Sequence, residues 1–267
     1  MTTHIDAAKD AGLRERTEKN AAVGKKSEDA AVIATPKKAD AAADIECLVA
    51  PTSPTRLPPA FAKKPFIALA GMIGAGKTTL STQLSKRLGL PLFEEPVASN
   101  TILADFYKDM AKHGFHLQIH LLNIRFQQHQ KVVWNDEGGV SDRSIYEDCI
   151  FAKLLMKSGM MSAKEYNTYM SLFQNMSKFL KQPTVIVYLD VTPEKSVERI
   201  RRRARDMEKG ISLEYLQGLY AGYDEFIHEI SKSVPVIRVP WDEFQDVDVI
   251  VDKLVSAMER INNIITV

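Results

Sequence analysis

The chain has 267 residues, 45% of them hydrophobic, which is enough for one sizeable α/β core with at most an extension beside it. Its 35 basic and 34 acidic residues give a formal net charge of +1, so no global field attracts nucleic acid or a membrane surface, and neither is an expected partner. The two cysteines, Cys47 and Cys149, form no metal-ligand pattern, which favours a reducing compartment. Without an apolar span or signal core, we expect an unsecreted, cytoplasmic protein.

Residues 1–62 form a low-complexity extension that cannot bury enough apolar surface to fold alone. The first 60 residues contain no aromatic side chain and have prolines at positions 36, 51, 54, 58 and 59. Acidic residues such as Asp6 and Asp10 argue against a mitochondrial presequence. Two interpretations remain open: a flexible tail, or an oligomerisation arm that becomes helical against a partner subunit.

From residue 63 to 267, apolar runs alternate with helical patterns, as in a parallel sheet built from βαβ units. The predicted strands are 66–70, 90–93, 139–142, 184–190 and 234–239. The predicted helices are 77–88, 102–112, 117–134, 145–157, 164–181, 193–205, 213–231 and 248–261. Ligands of such a sheet should bind at the carboxyl ends of the strands.

A phosphate-binding loop is predicted where the first strand meets the first helix, at Gly71-Met72-Ile73-Gly74-Ala75-Gly76-Lys77-Thr78. Glycines let backbone N–H groups face phosphate oxygens, and the helix N-terminus favours an anion. Lys77 can reach the β- and γ-phosphates, while the Thr78 hydroxyl can coordinate Mg²⁺. An ordinary glycine-rich turn is the alternative. The predicted nucleotide-binding residues are Gly71, Gly74, Ala75, Gly76, Lys77, Thr78 and Thr79.

Carboxylates follow the second and third strands, near the predicted phosphate loop. In Glu94-Glu95-Pro96-Val97, either glutamate could take a proton from an attacking hydroxyl, or could only solvate a strand end. In Asp142-Arg143-Ser144, the acid could hold Mg²⁺ with Thr78 and the arginine could clamp an anionic transition state. A local ion pair, or a Ser144 helix cap, is the alternative there.

Two helices carry further candidate ligands. Arg199 and Arg203 are four residues apart in an arginine-rich run ending at Arg205, so they share a helix face and could close over a triphosphate as a lid, unless the run is only a solvated basic face. Gln118 and Arg125 share one face of the helix 117–134 and could read a base edge, although polar residues on a surface helix are the simpler explanation.

The order and spacing of these motifs resemble the deoxyribonucleoside kinase family, in particular its deoxyadenosine/deoxyguanosine kinase branch. The resemblance covers residues 64–261 and depends on the phosphate loop, Glu94-Glu95-Pro96-Val97, Asp142-Arg143-Ser144 and the arginine run. It implies an α/β, P-loop NTPase-like five-stranded parallel sheet flanked by helices, with an arginine-rich lid. It also implies ATP- and Mg²⁺-dependent phosphorylation of a deoxyribonucleoside 5′-hydroxyl.

The resemblance assigns roles to individual residues. It selects Glu95 as the catalytic base, with Arg143 and Lys77 beside it, and Thr78 and Asp142 as metal ligands. It gives phosphate contacts to Arg199, Arg203 and Arg205, and donor-adenine stacking to Phe244. The nucleoside base is assigned to Gln118, Arg125 and Asp148, and the sugar 3′-hydroxyl to Tyr107 and Glu208.

Two departures from the broad-specificity pattern favour a purine, with deoxyadenosine preferred over deoxyguanosine: Asn100 replaces an aromatic residue, and Asp142 replaces a glutamate. The resemblance also implies a homodimer, which the extension could enlarge to a homotetramer. Two alternatives stay open: thymidylate kinase or another nucleoside monophosphate kinase, and a non-catalytic nucleotide-binding subunit.

Overall fold

A computed structural model describes residues 64–94, 101–134, 138–208 and 210–265, with backbone alone at 101, 133 and 263–265. The predicted extension, 1–62, and the candidate base Glu95 lie outside the described residues, and so does Asn100. In the described part of the chain, no helix is long and apolar enough to cross a membrane.

A five-stranded, entirely parallel sheet forms the centre of the fold. Its strand order, β2-β3-β1-β4-β5, places β1 between β3 and β4. The connection from β1 leads to β2 on one side, and the connection from β3 leads to β4 on the other side, so the carboxyl ends of β1 and β3 border the switch point where such sheets bind ligands. The strands are β1 (Phe66–Gly71), β2 (Leu92–Phe93), β3 (Gly139–Asp142), β4 (Val185–Asp190) and β5 (Val236–Pro240).

Helices cover both faces of the sheet. They are α1 (Lys77–Leu88), α2 (Thr101–Lys108), α3 (Met110–Trp134), α4 (Asp148–Lys157), α5 (Ala163–Ser177), α6 (Pro193–Arg203), α7 (Leu213–Ile230) and α8 (Val247–Ile265). Several begin at caps visible in the sequence. Ser162 and Glu165 form a capping box at α5, and Thr192 caps α6, whose first residue is Pro193.

Side chains of β1 alternate between two hydrophobic layers, as a strand buried on both faces requires. Ile67 and Leu69 pack with residues of α1 and α8. Ala68 and Ala70 pack on the opposite face with residues of α7, including Leu219. A third cluster joins α2, α3, α4 and α5. This layering holds the carboxyl end of β1 rigidly in the centre of the fold.

The predicted fold class and all five strands are confirmed, but several helix boundaries were wrong. Position 109 separates α2 from α3, and α3 continues without a break through Gly114, which the sequence interpretation treated as a gap before 117. A Cβ at Gly114 would lie 3.3 Å from Leu155 Cδ1, so glycine here permits close helix packing and does not end a helix. The predicted helix 145–157 begins instead with a 3₁₀ turn, Ile145–Glu147, before α4.

Candidate active site

The loop between β1 and α1 is a preorganised anion cradle. Gly74 and Gly76 have φ angles of 79° and 91°, a region that favours glycine, and Gly76 immediately precedes the first residue of α1. The Lys77 side chain is buried, and its Nζ donates to the carbonyls of Gly71 and Met72, both at 2.8 Å. The ammonium group is therefore folded over the loop that would receive phosphate.

Thr78 and Asp142 meet across neighbouring strands. The pairing of Leu69 with Asp142 places the end of β3 beside the end of β1. The Thr78 hydroxyl donates to Asp142 Oδ2 at 2.5 Å. The other carboxylate oxygen, Oδ1, is buried and has no hydrogen-bond partner among the described residues. This pair therefore presents oxygen ligands next to the loop.

Arg143 follows Asp142 in a left-handed backbone conformation, with φ of 78°. That conformation is rare for a residue with a side chain, costs about 1–3 kcal/mol and is concentrated at functional sites. The guanidinium is buried and donates to the Gly71 carbonyl at 3.2 Å. The alternative of a Ser144 helix cap is not found: the serine hydroxyl is buried, makes no capping hydrogen bond and has no partner in the described part of the chain.

A single cavity of about 620 Å³ joins the phosphate loop to the face of α3. Its volume is in the range of small-molecule sites. On the loop side it is lined by Gly74, Gly76, Lys77, Thr78, Thr79, Arg199, Arg202, Arg203, Arg205 and Phe244. On the α3 side it is lined by Leu103, Phe106, Tyr107, Leu117, Gln118, Leu121, Ile124, Arg125, Arg143, Phe151, Glu208 and Tyr215. One ligand space thus contains most of the predicted site.

At the α3 side of this cavity, Gln118 and Arg125 are buried beside apolar side chains. Asp148 does not line the cavity: it is fully buried behind Arg125 and forms an ion pair with it. The opposite charge of the aspartate holds the guanidinium in place. Of the three residues assigned to the base, two therefore face the cavity, and the third acts through Arg125.

Tyr107 and Glu208 line the same cavity, as predicted for a pair that binds one hydroxyl. Burial raises the pKa of Tyr107 well above its ordinary value, so the phenol stays protonated and can donate. Glu208 is also paired with two arginines: its carboxylate lies 2.5 Å from Arg203 Nη2 and 3.5 Å from Arg205 Nη1. Glu208 and these two arginines are therefore held together by ion pairs at one wall of the cavity.

Arg199 differs from the other arginines of the run. Its guanidinium is buried and donates to the carbonyls of Ala75, Trp241 and Asp242, at 3.3, 2.7 and 2.9 Å. It also lies 4.1 Å from the centre of the Phe244 ring, which is 57% exposed and faces the cavity. These contacts hold Arg199 between the loop and the segment after β5, while its predicted part in a lid over the triphosphate stays a prediction.

Sequence similarity identifies the family. The model of the family described as "Deoxynucleoside kinase" matches residues 67–266 of this chain. The chain belongs to the deoxynucleoside kinase family. It is 57% identical over 180 residues to a deoxyadenosine kinase of Dictyostelium discoideum, covering 67% of this chain and 74% of the relative. It is 37% identical over 206 residues to a deoxyadenosine/deoxycytidine kinase of Bacillus subtilis, covering 73% and 94%.

Solved structures agree with this assignment. A deoxyadenosine kinase from M. mycoides with bound dATP superposes with a TM-score of 0.66 at 32% identity, covering 71% of this kinase and 98% of that chain. The same enzyme with bound dCTP gives a TM-score of 0.64 at 32% identity, with the same coverage. The P-loop NTPase-like fold and the deoxynucleoside kinase assignment expected from the motifs are therefore confirmed.

Several residues of the kinase cavity carried no recognisable sequence signal. Tyr215 and Phe151 line it from α7 and α4, and burial raises the pKa of the Tyr215 phenol. Arg202 faces the cavity as well, although only its neighbours in the arginine run were assigned contacts. Aromatic residues on these helices are as typical of core packing as of a ligand site, so only the tertiary structure separates the two.

Proposed function

We propose that this kinase transfers the γ-phosphoryl group of ATP to the 5′-hydroxyl of deoxyadenosine. The main observation that supports this proposal is the single cavity that joins the phosphate loop to the buried Gln118 and Arg125 side chains. A triphosphate on the loop and a nucleoside against α3 would face one another there. The 57% identity to a deoxyadenosine kinase supports the choice of purine.

Donor binding is assigned to the loop and to the arginines above it. Backbone N–H groups from Gly74 to Thr78 and the N-terminus of α1 would receive the phosphates. Lys77 would exchange its two carbonyl contacts for phosphate oxygens. Arg203 and Arg205 would approach from the end of α6, while Phe244, stacked on Arg199, would offer its exposed ring to the adenine.

Mg²⁺ fits the pair formed by Thr78 and Asp142. Asp142 Oδ1, which has no hydrogen-bond partner within the described ranges, and the Thr78 hydroxyl are hard oxygen ligands beside the phosphate loop. The described residues contain no group of three or more His, Cys, Asp or Glu side chains able to hold a metal ion, as suits an ion held mainly by phosphates and water. When bound, the ion would neutralise phosphate charge during transfer.

Acceptor binding is assigned to the α3 side. The Gln118 carboxamide offers a donor and an acceptor in one plane to the base edge, and Arg125 adds donors oriented by Asp148. Tyr107 would donate to the sugar 3′-hydroxyl and Glu208 would accept from it. Because Glu208 also pairs with Arg203 and Arg205, sugar binding would help to set the position of the phosphate-binding arginines.

Proton removal from the 5′-hydroxyl is assigned to Glu95 on the family resemblance, since this residue lies outside the described part of the chain. Glu95→Gln should lower kcat by about 10² to 10⁴ with little change in either KM, the usual contribution of a positioned base. Glu94→Gln is the matched control, because Glu94 is exposed. Near-normal turnover of Glu95→Gln, or an equal loss in Glu94→Gln, would exclude Glu95 from this role.

An acceptor panel tests the substrate directly. With ATP and Mg²⁺, deoxyadenosine should give the highest kcat/KM among the four deoxynucleosides. Faster phosphorylation of dAMP or dTMP would favour the monophosphate kinase alternative. No turnover with any acceptor would favour a nucleotide-binding subunit, and a higher kcat/KM for deoxyguanosine or deoxycytidine would refute the deoxyadenosine assignment.

The homodimer, and its enlargement to a tetramer by residues 1–62, remain predictions. Mass measurement in solution before and after deletion of residues 1–60 tests both. The arm hypothesis requires a smaller assembly after deletion, whereas an unchanged mass contradicts it.

A further inference from the structure

Glu147 is a buried carboxylate to which the proposed reaction gives no role. It ends the 3₁₀ turn before α4 and has no exposed surface. Its neighbour Asp148 points to Arg125, whereas Glu147 points to the phosphate loop: its Oε2 accepts from the Gly71 N–H at 3.3 Å. Buried carboxylates are costly unless paired and hydrogen-bonded, so the contacts of Glu147 call for a specific reason.

The principal partner of Glu147 is Arg143. The Arg143 Nη1 atom lies 3.3 Å from Glu147 Oε1 and also donates to the Gly71 carbonyl at 3.2 Å. The Phe151 ring packs 5.4 Å from the centre of the guanidinium. An arginine side chain has many rotamers, and these contacts on several sides restrict it to one. They fix it at the wall of the cavity, beside the first residue of the phosphate loop.

Tyr223 of α7 completes this group. Its hydroxyl accepts from Arg143 Nη1 at 3.0 Å, and its oxygen lies 2.8 Å from both Glu147 Oε2 and the Gly71 carbonyl. Burial, followed by the nearby Glu147 charge, raises the pKa of Tyr223, so the hydroxyl keeps its proton for one of these acceptors. Tyr223 therefore links Arg143, Glu147 and the loop.

We propose that Glu147 and Tyr223 are positioning residues that hold the Arg143 guanidinium in a single orientation for the transferred phosphoryl group. This inference depends on the proposed role of Arg143 in the transfer. Glu147 also offsets the arginine's charge, so Arg143 contributes directed hydrogen bonds more than general attraction for phosphate. The pair should therefore influence the transition state more than the binding of ATP.

Kinetic variants test this proposal. Glu147→Gln keeps the size of the side chain but removes its charge, and Tyr223→Phe removes one hydroxyl while keeping the ring stacked on Tyr188, 5.7 Å away. Tyr188→Phe is the matched control, because its buried hydroxyl has no hydrogen-bond partner among the described residues.

We expect Glu147→Gln to lower kcat by about 10- to 100-fold, as for a misplaced catalytic group. Tyr223→Phe should lower kcat by about 2- to 10-fold, the range of one hydrogen bond. KM for ATP should stay within a factor of about three in both, and Tyr188→Phe should match the wild type. If Glu147 and Tyr223 had a purely structural role, the substitutions would instead lower the fraction of folded, active protein. The measured kcat is therefore normalised to the amount of folded protein.

A double-mutant cycle decides whether both residues act through Arg143. In an Arg143→Lys background, Glu147→Gln and Tyr223→Phe should have almost no further effect on kcat. If both substitutions lower kcat as much in the Arg143→Lys background as in the wild type, the proposal is overturned. It is also overturned if the single variants Glu147→Gln and Tyr223→Phe have the same kcat as Tyr188→Phe. If Glu147→Gln does not fold, Tyr223→Phe, which retains the ion pair, decides the outcome alone.

The substrate is chosen before the cycle is run. The wild type is assayed first, and the acceptor with the highest kcat/KM is used for every variant. A preference for another nucleoside would refute the deoxyadenosine proposal but leave this test intact. An Arg143→Lys enzyme with wild-type kcat would refute the role of Arg143, and the positioning role of Glu147 and Tyr223 with it.

Discussion

Replacing Asp148 with asparagine should lower both the stability of the fold and the selectivity for the acceptor base. Asp148 has no exposed surface and Arg125 is 6% exposed, so the variant leaves a buried guanidinium without its counter-charge. Removing one partner of a buried ion pair lowers the free energy of unfolding by about 3–5 kcal/mol. For a domain of this size each kcal/mol shifts Tm by about 2–4 °C, which predicts a decrease of about 6–20 °C.

Urea unfolding and thermal melting measure the stability effect. Arg125→Met should be destabilised to a similar extent, whereas the double variant Arg125→Met/Asp148→Leu should recover most of the loss, because apolar replacements leave no buried charge. Glu225→Gln is the matched control. Glu225 pairs with Lys153 at 2.5 Å on the surface, where both side chains are more than a third exposed, so its loss should cost about 0–1 kcal/mol.

Kinetics separate stability from recognition in the same variants. The double variant should be stable and still have low kcat/KM for deoxyadenosine, because neither Arg125 nor its orienting carboxylate remains. Two results would refute the reasoning: an Asp148→Asn protein within about 1 kcal/mol of the wild type, or a double variant with full activity.

Three further predictions concern the loop, the adenine contact and pH. Gly74→Ala should abolish most activity and lower Tm, since the residue has φ of 79° and the new Cβ would lie 2.9 Å from Ile200 Cγ1; an active, equally stable variant in the kinase assay and melt would contradict this. Phe244→Ala should raise KM for ATP about 2- to 10-fold through loss of an aromatic contact of about 0.5–1.5 kcal/mol, with KM for deoxyadenosine unchanged; an effect on the nucleoside instead would count against it. Burial lowers the pKa of His129, so as pH falls the unfolded chain takes up a proton near pH 6.5 before the native imidazole does. The stability that depends on neutral His129 is therefore lost as pH falls below about 6.5. Tm measured from pH 7 to 5 should fall more steeply for the wild type than for His129→Gln, and parallel slopes would contradict this.

Local patterns in the sequence were sufficient for the elements and for the nucleotide side of the site. Apolar runs followed by helical periodicity located all five strands, and the spacing of glycines before Lys77 located the phosphate loop. Thr192 caps the helix that begins at Pro193, and such caps depend only on residues within one turn. Where packing overrode local preference, as at Gly114, the helix boundaries were wrong.

Contacts between distant residues were decided only by the tertiary structure. Gly71 meets Glu147 and Tyr223, which are 76 and 152 positions away, and no periodicity relates them. The arginine run showed that Arg199 shares a helix face with Arg203, but only the fold shows that three backbone carbonyls from two other segments accept hydrogen bonds from its guanidinium. The sequence by itself therefore determined which chemical groups are present and on which elements they lie. Their mutual orientation depends on how helices pack across the sheet, which is a property of the whole fold.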